Sequence, residues 1–233
     1  MIAIAFALPS ESSDLTALLH ERSPSHSNKS KTVYGKIDNQ SVAVSHTGVG
    51  RKNCEAKIDN FLQVARPDLL ISSGFAGGVG EGLAVGDLIL ADNFSERQLL
   101  LKVQRVLRTA RVAKLFTSTK IVDSTDERNA IARANGADAV DMETEVIAQA
   151  CAMRSIPLLS LRVISDTPRQ PFPAPAQILF DIERQRTNPS KFGLYFLAHP
   201  DRIADLVRFA RRIARARRAL TDAIVTLLRS GNL

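Results

Sequence analysis

Apolar runs alternate with amphipathic segments from the first residues of the chain. Residues 2–8 are an apolar run typical of a buried strand, and residues 9–13 carry turn and helix-capping side chains before a helical period over 15–19. Residues 23–31 are rich in Ser, Asn and Lys, which predicts a surface loop. Residues 33–47 then alternate about Asp38 and Asn39, which predicts a hairpin.

The next stretch contains the most strand-like run of the chain. Residues 53–64 have helical spacing that Pro67 ends, and residues 69–72 are a short apolar run. Six glycines follow between positions 74 and 86, before a strand pattern resumes at 87–91. So many glycines indicate a backbone that closely approaches a ligand or a neighbouring segment.

The second half continues the alternation. Residues 95–114 are basic and roughly helical, residues 115–122 predict a strand, and residues 125–134 predict a helix. A helical segment is expected from 140 to 153, followed by a buried strand over 157–165. Strands that alternate with helices in this way favour an α/β fold.

Composition adds few constraints. The chain has 233 residues, 45% apolar and 24% charged, which is typical of a globular protein with one core. The two cysteines, Cys54 and Cys151, show no metal-binding spacing, and the apolar N-terminus lacks the features of a secretory signal. We therefore expect a cytoplasmic protein without a metal or an organic cofactor.

The net charge of +7 is concentrated near the C-terminus. Seven arginines lie between Arg202 and Arg218, in a segment predicted as a basic amphipathic helix over residues 198–230 that begins close to Pro200. Three interpretations remain open: a closing helix with a solvated basic face, attachment to an anionic membrane surface, and nucleic-acid binding without catalysis. Aromatic residues are only 5% of the chain and tryptophan is absent, so no nucleic-acid partner is expected.

Two acidic positions are candidates for chemistry. Asp166 follows the apolar run 158–164, so it is expected at the carboxyl end of a buried strand, where open α/β sheets bind ligands and where burial keeps a carboxyl protonated. Glu143, in Asp141-Met142-Glu143, is expected at the start of a helix, where it could accept two sugar hydroxyls. An Asp that starts a turn and an acidic helix cap are the alternative explanations.

The ordered motifs of the chain resemble the nucleoside phosphorylase superfamily, in particular its 5'-methylthioadenosine/S-adenosylhomocysteine nucleosidase branch. The motifs that carry this resemblance are an acid soon after the first strand, Thr47-Gly48-Val49-Gly50, Ser73-Gly74-Phe75-Ala76-Gly77-Gly78, Val85-Gly86-Asp87, Val140-Asp141-Met142-Glu143 and Arg162-Val163-Ile164-Ser165-Asp166. The resemblance implies a three-layer αβα single domain over residues 1–233 with a central mixed sheet, and a homodimer or larger homo-oligomer.

The resemblance also implies an activity, the cleavage of the N-glycosidic bond of a purine nucleoside, with a 5'-substituted adenine nucleoside as the favoured substrate. Asp166 is then the general acid at purine N7, and Glu11 activates water. The expected substrate-binding residues are Asp141, Met142, Glu143, Phe75, Ala76, Gly77, Ile121, Val122 and Ser165. Phe75 departs from the family pattern, which usually has serine there, and Asp141 replaces a longer acid.

Two alternatives remain open within this activity. Phosphorolysis would need an oxyanion site, for which Arg51 is the only obvious nearby candidate, so hydrolysis is favoured. Residues 136–143 and the arginine-rich tail look closest to the hopanoid-associated members, which act on a nucleoside joined to a polycyclic lipid such as adenosylhopane. A membrane-surface contact through the basic helix would accord with such a substrate.

Overall fold

The computed structural model describes residues 1–24, 32–231 and 233, in which the strands belong to one sheet with helices against both faces. The strands are β1 Ile2–Phe6, β2 His20–Pro24, β3 Thr32–Ile37, β4 Gln40–His46, β5 Leu69–Gly78, β6 Leu88–Ala91, β7 Arg111–Ala113, β8 Leu115–Thr117, β9 Ala139–Asp141 and β10 Leu158–Asp166. The helices are α1 Pro9–Ala17, α2 Arg51–Ala65, α3 Arg97–Val106, α4 Thr125–Asn135, α5 Thr144–Ala152, α6 Ala176–Leu179, α7 Pro189–Ala198 and α8 Ile203–Ser230.

The sheet is mixed, as expected. Its main order is β2-β3-β4-β1-β5-β10-β6-β7, and β9 pairs with β5 and β8 beside this path. The central strands β4, β1, β5 and β10 run parallel, whereas β3 against β4, β6 against β10 and β9 against β5 are antiparallel. The predicted hairpin over residues 33–47 is confirmed as β3 and β4.

Strand β1 is buried on both faces because helices cover both sides of the sheet. Ile2, Ile4 and Phe6 pack in a cluster with side chains of α1, α3 and α8. Ala3 and Ala5 point the other way, into a cluster with side chains of α2 and α5. Parallel strands covered on both faces read as continuous apolar runs, which explains the pattern of residues 2–8. The predicted three-layer α/β architecture is confirmed.

The helix expected to start at residue 140 begins later. Val140 pairs with Gly77 in the short antiparallel strand β9, and α5 starts at Thr144 with Glu143 as its N-cap. The helical prediction for residues 95–114 was also too long, because α3 ends at Val106 and β7 pairs in parallel with β6. In both places, pairing with a distant strand overrides the local helical pattern.

The first glycines of the glycine-rich stretch belong to β5 itself. The strand runs on to Gly78, with β1 paired along it as far as Ser72 and β9 paired from Gly77. The edge of β5 between these two partners is therefore open to other groups. Gly74 lies in this opening with a φ of +145°, a conformation that L side chains rarely adopt.

The C-terminal region contains two helices that the sequence pattern did not predict, the short α6 and α7. Helix α7 precedes a 3-10 turn at Pro200–Arg202, and α8 then runs from Ile203, slightly later than predicted. The buried residues of α8 all lie in its second half, from Ala216 onward, and the helix packs near β10, so this half is a closing helix of the sheet. No helix in the described ranges is both long and apolar enough to span a membrane.

Of the loop predicted at 23–31, residues 23 and 24 end β2 and residues 25–31 lie outside the described residues.

Candidate active site

A cavity of about 340 Å³ opens where β1, β5, β9 and β10 end or break their pairing. This volume falls within the range of small-molecule sites. All of the predicted site residues except Arg51 line it: Glu11, Phe75, Ala76, Gly77, Ile121, Val122, Asp141, Met142, Glu143, Ser165 and Asp166. The cavity therefore brings together the two acidic segments and the glycine-rich strand.

Asp166 is the last residue of β10 and lies in the cavity wall, almost fully buried. Its Oδ2 pairs with the guanidinium of Arg128, and its Oδ1 accepts a hydrogen bond from the Ser165 hydroxyl. Burial raises the pKa of Asp166, while the charge of Arg128 and the hydrogen bond from Ser165 oppose the rise. A carboxyl in this setting can hold a proton that it later donates.

Glu11 lies in the first turn of α1 and reaches the open edge of β5. Its Oε2 accepts from the N–H of Leu8 at 2.9 Å, and its Oε1 accepts from the N–H of Phe75 at 3.4 Å. Burial raises the pKa of Glu11, opposed by the Leu8 hydrogen bond and the charge of Arg162. A buried carboxylate with a raised pKa is suited to accept a proton near neutral pH.

Glu143 connects two helix N-termini at the cavity. It is the N-cap residue of α5, and its Oε1 accepts from the N–H of Gly50, the N-cap residue of α2, at 2.7 Å. Burial, with the charge of Asp141, raises the pKa of Glu143 to about 8. The methyl group of the adjacent Met142 lies close to Gly50, where an added Cβ would be 3.6 Å away. The second carboxylate oxygen of Glu143 retains its capacity to accept hydroxyl donors.

Asp141 lines the cavity but also holds the surrounding framework together. Its Oδ2 accepts from Arg162 at 2.9 Å and from the N–H of Thr144 at 3.1 Å, and its Oδ1 accepts from Thr117 at 2.8 Å. The same Arg162 nitrogen donates to Ser72 at 2.7 Å. This buried network links β5, β8, β10 and the start of α5, and therefore supports the segment that carries Glu143.

Glycine is required at two positions of β5 because charged groups pass close to the strand. A Cβ at Gly74 would lie 3.2 Å from both Arg162 Nη1 and Glu11 Oε1. A Cβ at Gly77 would lie 3.1 Å from Arg128 Nη1 and 3.2 Å from Asp166 Oδ2. The two glycines are three residues apart, about 10 Å along an extended strand. Glu11 and Asp166 thus flank different ends of the open edge.

Part of the cavity lining is apolar. Phe172 and Phe180 contribute to it from the segment between β10 and α7, and Phe209 and Ile213 from the first half of α8. Phe172 and Phe209 make an edge-to-face contact, with ring centroids 5.8 Å apart. Large apolar side chains in a cavity lining favour a ligand that brings its own apolar surface.

Arg51 does not line this cavity. It is the first residue of α2, and it bonds Glu55 at 3.0 Å and Glu145 at 2.8 Å on the protein surface. It contributes instead to a separate surface depression with Gly50 and residues around it. Its charge is thus compensated by two glutamates.

The sequence analysis did not assign the apolar lining residues or two buried arginines that bond to residues of the candidate site. Arg162 interrupts an otherwise apolar strand, and a charge in such a run indicates a buried ionic network, so this signal was available. Arg128 lies in α4, a helix rich in polar residues. Nothing in the sequence indicates that it contacts Asp166. Most helical arginines of this kind are exposed.

The comparisons with known proteins agree with this architecture. A family model described as the phosphorylase superfamily matches residues 1–102 and 95–198. The 5'-methylthioadenosine/S-adenosylhomocysteine nucleosidase of Staphylococcus aureus strain MRSA252 is 26% identical over 196 residues, covering 71% of this chain and 86% of the relative.

Solved structures are similar in fold over nearly the whole chain. The nucleosidase of the same name from Neisseria meningitidis, in complex with methylthio-immucillin-A, has a TM-score of 0.74 at 17% identity and covers 98% of both chains. Futalosine hydrolase of Helicobacter pylori strain 26695 has a TM-score of 0.72 at 14% identity, covering 98% of this chain and 97% of that protein. The chain therefore belongs to the phosphorylase superfamily, in which it is similar to the 5'-methylthioadenosine/S-adenosylhomocysteine nucleosidases.

Proposed function

We propose that this protein hydrolyses the N-glycosidic bond of a purine nucleoside, with Asp166 as general acid and Glu11 as the base that activates water. The observation that carries the proposal is the sharing of one cavity by Asp166, Glu143 and Glu11. Burial raises the pKa of all three carboxyls, and this is the tuning that acid–base chemistry at neutral pH requires.

In the proposed reaction, the carbon–nitrogen electron pair leaves with the base while the Asp166 carboxyl protonates N7. Positive charge develops on the ribose, as in glycoside hydrolysis. Glu143 accepts the sugar hydroxyls and holds the ring beside Met142. Water attacks the anomeric carbon, and its proton passes to Glu11. The separation of Glu11 and Asp166 along β5 leaves room for a sugar and a water molecule between them.

Hydrolysis is favoured over phosphorolysis by the charges at the cavity. Phosphate would have to enter beside the carboxyls of Glu11 and Glu143, and the lysine that lines the cavity, Lys120, is paired with Glu127. The arginine that could have bound phosphate, Arg51, is paired with Glu55 and Glu145 outside the cavity. Water needs only the carboxylate of Glu11.

The test is base release by dialysed protein from methylthioadenosine, S-adenosylhomocysteine, adenosine and inosine, with and without phosphate. We expect adenine from at least one adenine nucleoside at the same rate in both conditions. Release that depends on phosphate would replace hydrolysis by phosphorolysis. A complete lack of release from all four nucleosides would contradict this substrate range.

The substrate that we propose is an adenine nucleoside with an apolar 5' substituent. The name of the S. aureus relative supports an adenine nucleoside. The apolar lining residues Phe172, Phe180, Phe209 and Ile213 support an apolar substituent, since each buried Å² of apolar surface contributes about 25 cal/mol. A nucleoside linked to a lipid, such as adenosylhopane, is the extreme case of this class. A series of 5'-alkylthio analogues should show kcat/KM rising with chain length.

We also propose that the surface formed by α7 and the first half of α8, here called the α7–α8 surface, contacts an anionic membrane. Four of its large apolar side chains are exposed: Leu194, Leu197, Ile203 and Val207. Residues 191–218 contain eight Lys or Arg and only two Asp. Two copies of such a surface would repel each other, whereas an anionic bilayer attracts it by about 1 kcal/mol per basic residue near the lipid.

Co-sedimentation with phosphatidylcholine vesicles, with and without phosphatidylglycerol, tests this contact. We expect salt-sensitive binding to the anionic vesicles, which Leu194→Asp with Leu197→Asp or Arg211→Glu with Arg215→Glu abolishes. Arg105→Glu with Arg108→Glu changes the same number of exposed arginines elsewhere and should bind normally. The membrane contact would be contradicted if all variants bound the vesicles equally. It would also be contradicted if the protein associated with itself through Leu194 and Leu197, or if DNA retained it more strongly than the vesicles.

A further inference from the structure

Arg128 is a buried cation whose ion-pair partner among the described residues is Asp166 alone. Its side chain is 1% exposed, and that of Asp166, with which it pairs, is 3% exposed. The same guanidinium donates to the carbonyl oxygens of Gly78 at 2.8 Å and Val122 at 2.9 Å. These bonds fix Arg128 to the end of β5 and to the segment before α4. Its position therefore does not depend on Asp166 alone.

The fixed guanidinium determines how Asp166 is presented. Oδ2 of Asp166 faces Arg128, while Oδ1 lies beside the Ser165 hydroxyl at the cavity wall. An arginine in a protein keeps its charge at any pH of interest, so it can only donate to Oδ2. Oδ1 is then the oxygen of Asp166 that can carry a proton toward a ligand.

The charges around Asp166 come from two helices. Arg128 of α4 makes the direct contact, and Arg212 of α8 acts on Asp166 at longer range. A carboxylate at position 166 would therefore be stabilised chiefly by Arg128, in a place where burial would otherwise make it costly.

We propose that Arg128 is a positioning residue of the reaction, which holds Asp166 with Oδ1 toward the leaving base and stabilises the carboxylate that remains after proton transfer. This inference rests on the proposed function. In that step, the O–H bond of Asp166 breaks, an N–H bond forms on the base, and the electron pair of the O–H bond stays on Asp166. Without Arg128, the product of the step would be an unpaired buried anion.

The first test compares Arg128→Met, which keeps the length but loses the charge, with Arg128→Lys, which keeps the charge but loses the fork of donors. For Arg128→Met, we expect kcat to fall roughly 10- to 100-fold with little change in KM. The alkaline limb of the pH profile of kcat for this variant should move to higher pH by about one pH unit or more, because losing a nearby cation raises the pKa of Asp166. For Arg128→Lys, we expect the alkaline limb to stay near the pH of the wild type, and kcat to lie between those of the wild type and Arg128→Met.

Arg154→Met is the matched control, since Arg154 also pairs with an aspartate and a helix carbonyl but lies away from the cavity. It should leave kcat and the pH profile unchanged. If Arg128→Met lowers only the melting temperature while kcat and the alkaline limb match the wild type, Arg128 is structural and the inference is wrong. If Arg128→Met does not fold, a shifted alkaline limb in Arg128→Lys contradicts the inference equally.

A second measurement separates this inference from the proposed function. The Asp166 carboxyl can be titrated by carbon NMR in protein labelled at aspartate, with Asp166→Asn to assign the signal. We expect its pKa to be higher in Arg128→Met than in the wild type, whether or not a nucleoside is cleaved. An unchanged pKa overturns the role of Arg128. Absence of nucleoside cleavage by the wild type, with the pKa shift present, overturns only the proposed function.

Discussion

The carboxylate of Glu143 accepts a hydrogen bond from the backbone N–H of Gly50 at 2.7 Å, across 93 residues of sequence. Each is the N-cap residue of a helix, Gly50 of α2 and Glu143 of α5. Helix N-termini favour a negative charge, yet burial and Asp141 raise the pKa of Glu143 to about 8. Small changes in pH therefore alter the charge at the centre of the cavity.

The stability of the empty protein should fall as the pH rises toward about 8 because of Glu143. A carboxyl whose folded-state pKa is raised favours the folded state while it is protonated, and it loses this contribution as the pH rises from its usual value of 4.5 to its folded value. Melting temperatures measured across this range should decline less in Glu143→Gln than in the wild type. Glu145→Gln, an exposed change on the same helix, is the control. Identical slopes for wild type and Glu143→Gln would show that the carboxyl does not titrate in this way.

Asp166→Asn should reduce kcat for adenine release by roughly 10²- to 10⁴-fold, because asparagine cannot supply a proton to the base. The amide can still accept from Arg128, so circular dichroism should show a folded protein. Single-turnover measurements are suited to rates this low. Wild-type turnover in Asp166→Asn would remove Asp166 from the role of general acid.

Glu11→Gln should also lower kcat by roughly 10²- to 10⁴-fold, because an amide does not take a proton from water. The amide oxygen can still accept from Leu8 and Phe75, so the binding of free adenine should be unchanged. Asp14→Asn, on the same helix but paired with Arg217 at the surface, should retain its activity. A fully active Glu11→Gln protein would require another base.

Phe209→Ala should weaken the selection of substrates with an apolar 5' group. The ring lines the cavity and contacts Phe172, so its loss should lower kcat/KM for methylthioadenosine about 10-fold and for adenosine much less. Phe192→Ala removes a ring that packs on Phe196 in α7, outside the cavity, and serves as the control. Equal losses for both nucleosides would indicate that Phe209 does not contact the 5' group.

Most of the candidate site could be predicted because its residues lie in short motifs at the ends of strands. Asp166 after an apolar run and the Asp141-Met142-Glu143 motif both line the cavity. The ends of helices and strands were less predictable where a segment pairs with a distant strand, as β9 does with Gly77 and Gly78 of β5. The role of Arg51 as a phosphate ligand stays a prediction that its surface pairing with Glu55 and Glu145 does not favour.

The basic C-terminal segment is another case in which the sequence pattern could not predict the packing. Its arginines and its helical period are visible in the sequence, but a helical period does not tell which half is covered. In the structure, the buried residues of α8 all lie from Ala216 onward, while Ile203 and Val207 in its first half are exposed. Only the packing against the sheet distinguishes the two halves.

Local patterns in the sequence were enough to predict the α/β alternation and the positions of Asp166 and Glu143, because strand and helix periods and strand-end chemistry are local properties of the chain, whereas Glu11 was assigned through the family resemblance. Which groups meet depends on the folded chain. It brought Arg128 to Asp166 across 38 residues and Gly50 to Glu143 across 93. Such contacts depend on strand order and helix packing, which bring distant residues together without leaving a periodic pattern.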